Sequence, residues 1–298
     1  MLDYASLFAL AAVVREGSFE RAARTLHVTP SAVSQRVRLL EERIGCALVV
    51  RGQPCTATEA GRRLCQHVDR VHLLEQELHE TVPALAPQGL ARVTLPVAVN
   101  ADSLATWLAP AVAAFAADAP VLINVAVDDQ DHTGQWLRSG AVLAAVTAHA
   151  NPATGCNSRP LGAMRYIAAA SPAFVNRYFA QGVNADSLAM APSLVFNVKD
   201  ALQTRWVQGL CHGHVELPTH TLPSASAFVA AAMFGMGWGL HPQALVARQL
   251  EDGSLVALVP DAPLDVPLHW QQVRAASGLL DGLTQAVVAA ARAALIQS

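Results

Sequence analysis

A chain of 298 residues that is 53% hydrophobic and 14% charged is too long for one small domain and has ample apolar material for packed cores, so two or three folded units are expected. No apolar run reaches transmembrane length, and the start MLDYASLF lacks the charged region and cleavage site of a signal peptide; membrane and export readings are therefore not favoured. The five cysteines, at 46, 55, 65, 156 and 211, are odd in number with no CxxC spacing, which argues against a disulfide framework or structural zinc and for a reducing, cytoplasmic setting.

Net charge is −3, which alone argues against a nucleic-acid binder, but the charge is unevenly spread. Residues 1–70 carry ten Arg against seven Asp and Glu, whereas residues 71–298 carry ten Arg and Lys against sixteen acids. A basic head on an acidic body is what a separate DNA-reading domain produces. Lys199 is the only lysine, so the head depends on arginine for phosphate contacts.

Residues 3–15 predict a first helix with Leu7, Leu10, Ala11 and Val14 inward. Over residues 18–51 two short amphipathic helices fit, joined by a turn. Ser18 can cap the first, whose apolar face is Ala22, Ala23 and Leu26. Thr29 caps the second, and Pro30 sits at its first position, where a missing N–H costs nothing. Val33, Val37, Leu40 and Ile44 form a stripe predicted to be buried, leaving Ser31, Ser34, Gln35 and Arg38 outside. Hydroxyls and an amide near a helix N-terminus can bond base edges, and arginine can pair with phosphate, while the nearest carboxylates, Glu41 and Glu42, come one or two turns later. That is the pattern of a recognition helix in a major groove. Residues 47–51 then read as a strand, 52–54 as a turn and 55–57 as a returning wing. An ordinary three-helix packing unit would suit each residue singly, but the ordered set fits a winged helix-turn-helix better.

Thr58 opens a long helix in which Leu64, Val68, Val71, Leu74, Leu78, Val82 and Leu85 keep an apolar seam. A helix between two domains has nothing in its own chain to bury such a seam against, so self-pairing into a coiled-coil-like dimer is expected. Packing onto the chain's own C-terminal half is the blander alternative. Pro83, Pro87 and Gly89 end the helix at a hinge. From Ala91 the pattern becomes α/β. Strands at 93–99, 121–127 and 142–146 alternate with helices at 103–115 and 135–138 as a βαβ unit. A second unit has strands at 166–170, 194–196, 220–222, 238–240 and 255–259, with helices between them. Strand 267–274 and helix 279–296 find no partner there and return to the first unit. The expected fold class is α/β with an all-α-dominated winged helix-turn-helix head. Its domains are a DNA-binding domain at 1–58, a linker and dimerisation helix at 59–88, and an effector-binding domain at 89–298. The last divides into lobe I, 91–162 with 267–298, and lobe II, 163–266. Ligands of such folds sit in the cleft at strand C-termini.

The stretch FALAAVVREGSFERAARTLHVTPSAVSQRVRLLEERIGCALVVR, followed by TEAGRRL, resembles the DNA-binding domain of LysR-type transcriptional regulators. PCTATEAG, NADSLATW, VDDQDHT, PLGAMRYIAAASPAF and GWGLHP are similar to the ArgP/LysG (IciA) branch of that family, and the resemblance covers nearly the whole chain. It implies a periplasmic-binding-protein-like effector domain and lysine or arginine as ligand. It also implies base and phosphate contacts at Ser31, Ser34, Gln35 and Arg38, with a wing contact from Arg51. Thr56 stands where the branch commonly carries a basic residue, which implies a weaker or missing wing contact.

Several stretches are candidate sites. Asp102 and Ser103 follow the first strand, where they can cap a helix or, in a cleft, meet a ligand. Asp128, Asp129 and Asp131 with His132 end the second strand; the run reads as a cation site or a solvated loop, with Asp128, nearest the strand end, the first choice to face inward. Ser224 and Ser226 repeat the anion-site logic in the second lobe. Serines at helix N-termini, Ser103 and Ser226, suit an α-carboxylate, and Asp102 with the loop aspartates suits ammonium or guanidinium groups. Lysine or arginine carries that charge pattern. Cys211-His212-Gly213-His214 with His220 lacks the helical i, i+4 spacing of many zinc sites and reads as a polar loop. Met233 to Trp238 reads as core and a tight glycine turn. No GxSxG, strand-borne GxGxxG or Walker loop is present, so neither an enzyme nor a bound cofactor is expected.

The resulting expectation is a cytoplasmic, ligand-responsive transcriptional regulator that binds double-stranded promoter DNA and a basic amino acid. It would control amino-acid transport or metabolism genes. It would be a homodimer through the 59–88 helix and a homotetramer through its effector domains, with no membrane association. The alternatives are a nucleoid-type DNA binder without a ligand, or an enzyme built on the α/β half, which would leave the basic head unexplained.

Overall fold

The computed structural model describes residues 3–81, 93–119 and 121–297, with the side chains at 70, 73, 76–81 and 93 excepted. The chain divides into two compact units, Met1–Gly89 and Leu90–Ser298.

In the head, α1 (Tyr4–Glu16), α2 (Phe19–Thr25) and α3 (Pro30–Ile44) precede a two-residue hairpin pair, β1 (Val49–Val50) and β2 (Thr56–Ala57), and then α4 (Glu59–Thr81). Each helix start has its sequence-encoded cap. Asp3 accepts the Ala5 N–H, Ser18 that of Arg21, Thr29 that of Ala32 and Thr58 that of Gly61, each satisfying a donor the helix itself cannot. Leu7, Leu10 and Val13 of α1 are fully buried against Ala22, Ala23, Val33, Val37 and Leu40. Ile44 is not part of that core. It is the last residue before the left-handed Gly45 cap, and at 42% exposed it lies past the turns that the core covers. Gly61 of TEAGRRL packs directly on the Leu48 carbonyl, where any Cβ would overlap it.

The α4 seam is used differently from the expectation. Val68 is 1% exposed and, with Leu64 and Cys65, joins the core of the head, because α1 runs against this helix. Phe8 also stacks on His72, ring centroids 5.0 Å apart. The first turns of the seam are therefore covered within the chain. Leu74, 53% exposed, is not covered, the Leu78 side chain is outside the described atoms, and Val82, Leu85, Pro83, Pro87 and Gly89 lie outside the described residues.

The body opens with β3 (Val93–Val99), a helical run of α5 (Ala101–Ser103), a π-helical turn (Leu104–Leu108) and α6 (Ala109–Asp118), then β4 (Val121–Val127), α7 (Gly134–Arg138) and β5 (Ala144–Thr147). The strands β4 and β5 flank β3 in parallel, as a βαβ arrangement requires. Next come β6 (Cys156–Ala170), α8 (Pro172–Tyr178), α9 (Ala185–Met190), β7 (Ser193–Val195), α10 (Leu202–Cys211), β8 (Thr219–Thr221), α11 (Ala225–Met233), β9 (Gly239–Pro242), α12 (Gln243–Glu251) and β10 (Val256–Ala257). The chain ends with β11 (Leu264–Val273), a 3-10 turn and α13 (Ser277–Ala294).

Two long antiparallel strands, β6 and β11, run through both lobes of one sheet ordered β10-β6-β11-β5-β3-β4, with β9 also on β6. They change register between Leu268 and His269. Opposite that step Gly162 takes φ +115°, and a Cβ there would come within 2.6 Å of the Ile296 carbonyl. β6 starts ten residues before the expected Tyr166. The chain thus passes between the two lobes along β6 and β11 themselves, and α13 returns to pack on α6.

Candidate functional site

On α3, Ser31, Gln35 and Arg38 are exposed and Ser34 is half-buried, so the outer face carries the four polar side chains together. Glu41 is turned away from that face; its carboxylate accepts the N–H groups of Leu48 and Val49 at 2.8 and 3.3 Å and fixes the entry to the wing. Glu42, by contrast, accepts Arg38 Nε at 2.8 Å one turn along. Arg38 is therefore paired within its own helix, at the surface. Arg51 is exposed and its guanidinium lies 5.5 Å from the Phe19 ring centre, a cation–π contact that restrains it without pairing its charge. Thr56, in β2, is exposed.

In the body, β3 and β4 end side by side, and their C-terminal residues lead into the acidic stretches. Asn100 is the N-cap of α5 but makes no capping bond; Asp102 and Ser103 lie inside the first turn, so neither is the cap. Asp102 accepts the Tyr166 hydroxyl at 2.8 Å. Burial pushes its pKa up; the Tyr166 bond opposes this, the charges of Asp200 and Asp129 add to it, and the value reaches about 6.

The acidic loop splits into two groups. Asp128 accepts the Trp136 indole at 3.0 Å, the Asp129 N–H at 2.9 Å and the Lys199 ammonium at 3.1 Å. Burial would raise this carboxyl, but those bonds and the Lys199 charge hold it below the ordinary range. Asp131 pairs with Arg205 at 3.4 Å. The two ion pairs join the loop after β4 to the segment from 199 to 205 in the other lobe. Asp129 is 8% exposed and its pKa is pushed up to about 6, by burial first and then by Asp131 and Asp200. Asp128 is thus already occupied, and Asp129 is the loop aspartate left without a cation.

Asp200 completes the inner set, and sequence reasoning missed it. Its oxygens accept the N–H groups of Phe196 and Leu202 at 2.9 and 3.1 Å, and burial raises its pKa against those bonds, a Gln203 side-chain bond and the more distant Arg205 charge. The signal was available: Asp200 follows strand β7 and precedes helix α10, the same strand-to-helix position as Asp102. Asp102 and Asp200 line one small cavity of about 20 Å³, together with Phe196, Phe228 and His241. Among the described residues no lysine or arginine lies within ion-pair distance of Asp102, Asp129 or Asp200. Ser103 is fully buried and Asn100 is 1% exposed, and their side-chain polar atoms bond nothing.

Ser226 is exposed, 3.2 Å from the Ser224 hydroxyl. Ser224 rather than Ser226 caps α11, and Ser226 does not line the cavity. Among the described residues no group of three or more His, Cys, Asp or Glu is placed to hold a metal, including the Cys211–His214 stretch. Trp238 is core, but Phe234 is 89% exposed, because the chain turns at Gly235 with φ +76°. No helix among the described residues is long and apolar enough to cross a membrane.

A winged helix-turn-helix whose third helix has an open polar face, carried with a two-lobed α/β body whose cleft is acidic, defines a DNA-binding regulator with a ligand domain. Comparison with known proteins gives the same class. Residues 5–62 match the bacterial regulatory helix-turn-helix protein model of the lysR family, and residues 88–296 match the LysR substrate binding domain. The chain belongs to the LysR family of transcriptional regulators; it is a regulator and not an enzyme. It is 47% identical to the transcriptional regulator ArgP of Pseudomonas fluorescens strain Pf0-1, over 97% of this chain and 96% of that one. Among solved structures, ArgP from Mycobacterium tuberculosis superposes with a TM-score of 0.83 at 43% identity, covering 100% of both chains. Full-length LysG from Corynebacterium glutamicum with bound effector Arg superposes with a TM-score of 0.71 at 38% identity, covering 99% of this chain and 100% of that one.

Proposed function

We propose that this regulator senses a basic amino acid, arginine or lysine, in the cleft between its lobes, and reads promoter DNA with α3. The observation that carries the effector reading is the set Asp102, Asp129 and Asp200. All three are partly or fully buried with raised pKa values, Asp200 and Asp129 adding to the shift at Asp102 and Asp200 to that at Asp129, and among the described residues none has a lysine or arginine within ion-pair distance, whereas their neighbours Asp128 and Asp131 each have one. A ligand bearing two cations relieves that repulsion, and a neutral amino acid does not. The arginine in the LysG relative supports the same reading. The orphaned Asn100 and Ser103 groups, beside Asp102 in sequence, are suited to the ligand's carboxylate or amine, and Ser226 has no part in this version of the site.

At the DNA, Gln35 with Ser31 and Ser34 is the base-reading set, and Arg38 and Arg51 are phosphate contacts. The head at 1–58 and the effector domain at 89–298 are joined by the linker of 59–88, and the apolar positions that follow Val68 in its sequence are the dimerisation seam. Tetramer formation through the effector domains, action in the cytoplasm and control of amino-acid transport or metabolism genes complete the proposal. The test is a thermal-shift series on the full chain with arginine, lysine, ornithine and leucine. Basic amino acids are expected to raise the melting temperature at millimolar concentration and leucine is not; an equal or larger shift with leucine contradicts the effector reading.

A further inference from the structure

Resting on that effector reading, we propose that His241 is a specificity-determining residue, and that the cavity it shares with Asp102 and Asp200 takes a guanidinium head in preference to an ammonium.

His241 lies on β9, fully buried, and lines the cavity with both carboxylates. Neither ring nitrogen makes a hydrogen bond of ordinary geometry; the Ala169 carbonyl is near enough only to favour the protonated ring slightly. A buried polar group without a partner is costly, and here one on the wall of a cavity that two carboxylates also line points to an absent donor or acceptor. Burial holds the ring neutral, its pKa pushed down to about 4. It can therefore accept an N–H from a cation without repelling it.

The shape of the walls selects among cations. Phe228 meets the His241 ring edge-on at 5.2 Å, and Phe196 and Leu240 close other sides. Flat apolar faces with acceptors at their margins suit a guanidinium, which is planar, weakly hydrated, stacks on aromatic rings and has five donors in one plane. An ammonium is compact and strongly hydrated, and would give up water for walls that return no hydrogen bond. Tyr166 occupies one Asp102 oxygen, leaving the other for the ligand, and Asp200 retains acceptor capacity beyond its two backbone bonds.

The experiment is calorimetric titration of the full chain with arginine and lysine, for wild type, His241→Phe and His241→Gln. Phenylalanine keeps a ring against Phe228 and removes both nitrogens; glutamine keeps a donor and an acceptor. Wild type is expected to bind arginine roughly tenfold or more tighter than lysine. His241→Phe should lose about ten- to hundredfold for arginine, the scale of one hydrogen bond to a charged group, and less than about threefold for lysine. His241→Gln should stay within about fivefold of wild type for arginine, and it carries the test if the phenylalanine variant does not fold. Equal losses for the two amino acids, or unchanged arginine affinity in folded His241→Phe, overturns the assignment while leaving the effector reading intact. Failure of wild type to bind either amino acid overturns both.

Discussion

In the head, Asp3, Ser18, Thr29 and Thr58 cap their helices, Glu41 bonds the first residues of the wing, and no buried side-chain polar atom among the described residues lacks a partner. In the body, Asn100, Ser103 and His241 are buried with side-chain atoms that bond nothing, close in sequence or across a cavity from carboxylates that repel one another. The difference separates two ways of being a binding domain. The head is finished as a scaffold and offers its polar groups outward, so its partner docks on a surface that changes little. The body leaves polar groups unsatisfied inside, so its partner must enter and complete it.

Asp102→Asn should have the largest effect. Removing a carboxylate that has no protein cation should weaken arginine binding about a hundredfold, some 2–3 kcal/mol. The same change should stabilise the ligand-free protein. A carboxyl titrating near 6 when folded and near 3.9 when unfolded binds more protons folded than unfolded between those values, so stability is lost as pH rises through that window. At pH 7.5 the variant should therefore melt higher by roughly 2–4 °C, measured by calorimetry; a lower melting temperature with unchanged arginine affinity contradicts the account.

In the head, Gln35→Ala should cost about 1–3 kcal/mol at one base position and relax the preference there. Arg51→Ala should weaken all sequences alike and flatten the salt slope by about one. Fluorescence anisotropy with operator and scrambled duplexes distinguishes the two. Within the acidic loop, Asp129→Asn should weaken arginine by roughly tenfold or more, while Asp128→Asn should change it less than about threefold, because Lys199 and Trp136 already satisfy Asp128. A larger effect at Asp128 reverses the inner and outer assignment. The smallest effect should come from Glu42→Gln, which releases Arg38 from its 2.8 Å ion pair and should tighten DNA binding about two- to fourfold with a steeper salt dependence.

Local chemistry made much of this legible in advance. Ser18, Thr29 and Thr58 are caps as read, the Val33–Val37–Leu40 stripe is buried, and Asp102 and Asp129 fall where strands β3 and β4 end. What was hidden depended on distant residues. Asn157 to Arg165 shows no period-two pattern, and its partner β11 lies about a hundred residues away, so β6 looked shorter than it is. Asp128 was the natural first choice until Lys199, on another lobe, filled it. The early α4 seam pointed to a second chain because the cover supplied by α1 is not visible in the periodicity of α4. His241, in a run of apolar residues, gave no local sign that its nitrogens would have nothing to bond.

Inner carboxylates that await a cation must give up protons when one arrives. Asp102 and Asp129 titrate near 6 in the free protein, and a bound cation must lower both values. Titrating arginine at pH 6 in two buffers of different ionisation enthalpy should therefore show net release, up to roughly one proton per site, fading toward pH 8. Arginine binding at pH 6 with no proton released, or with protons taken up, would contradict the account.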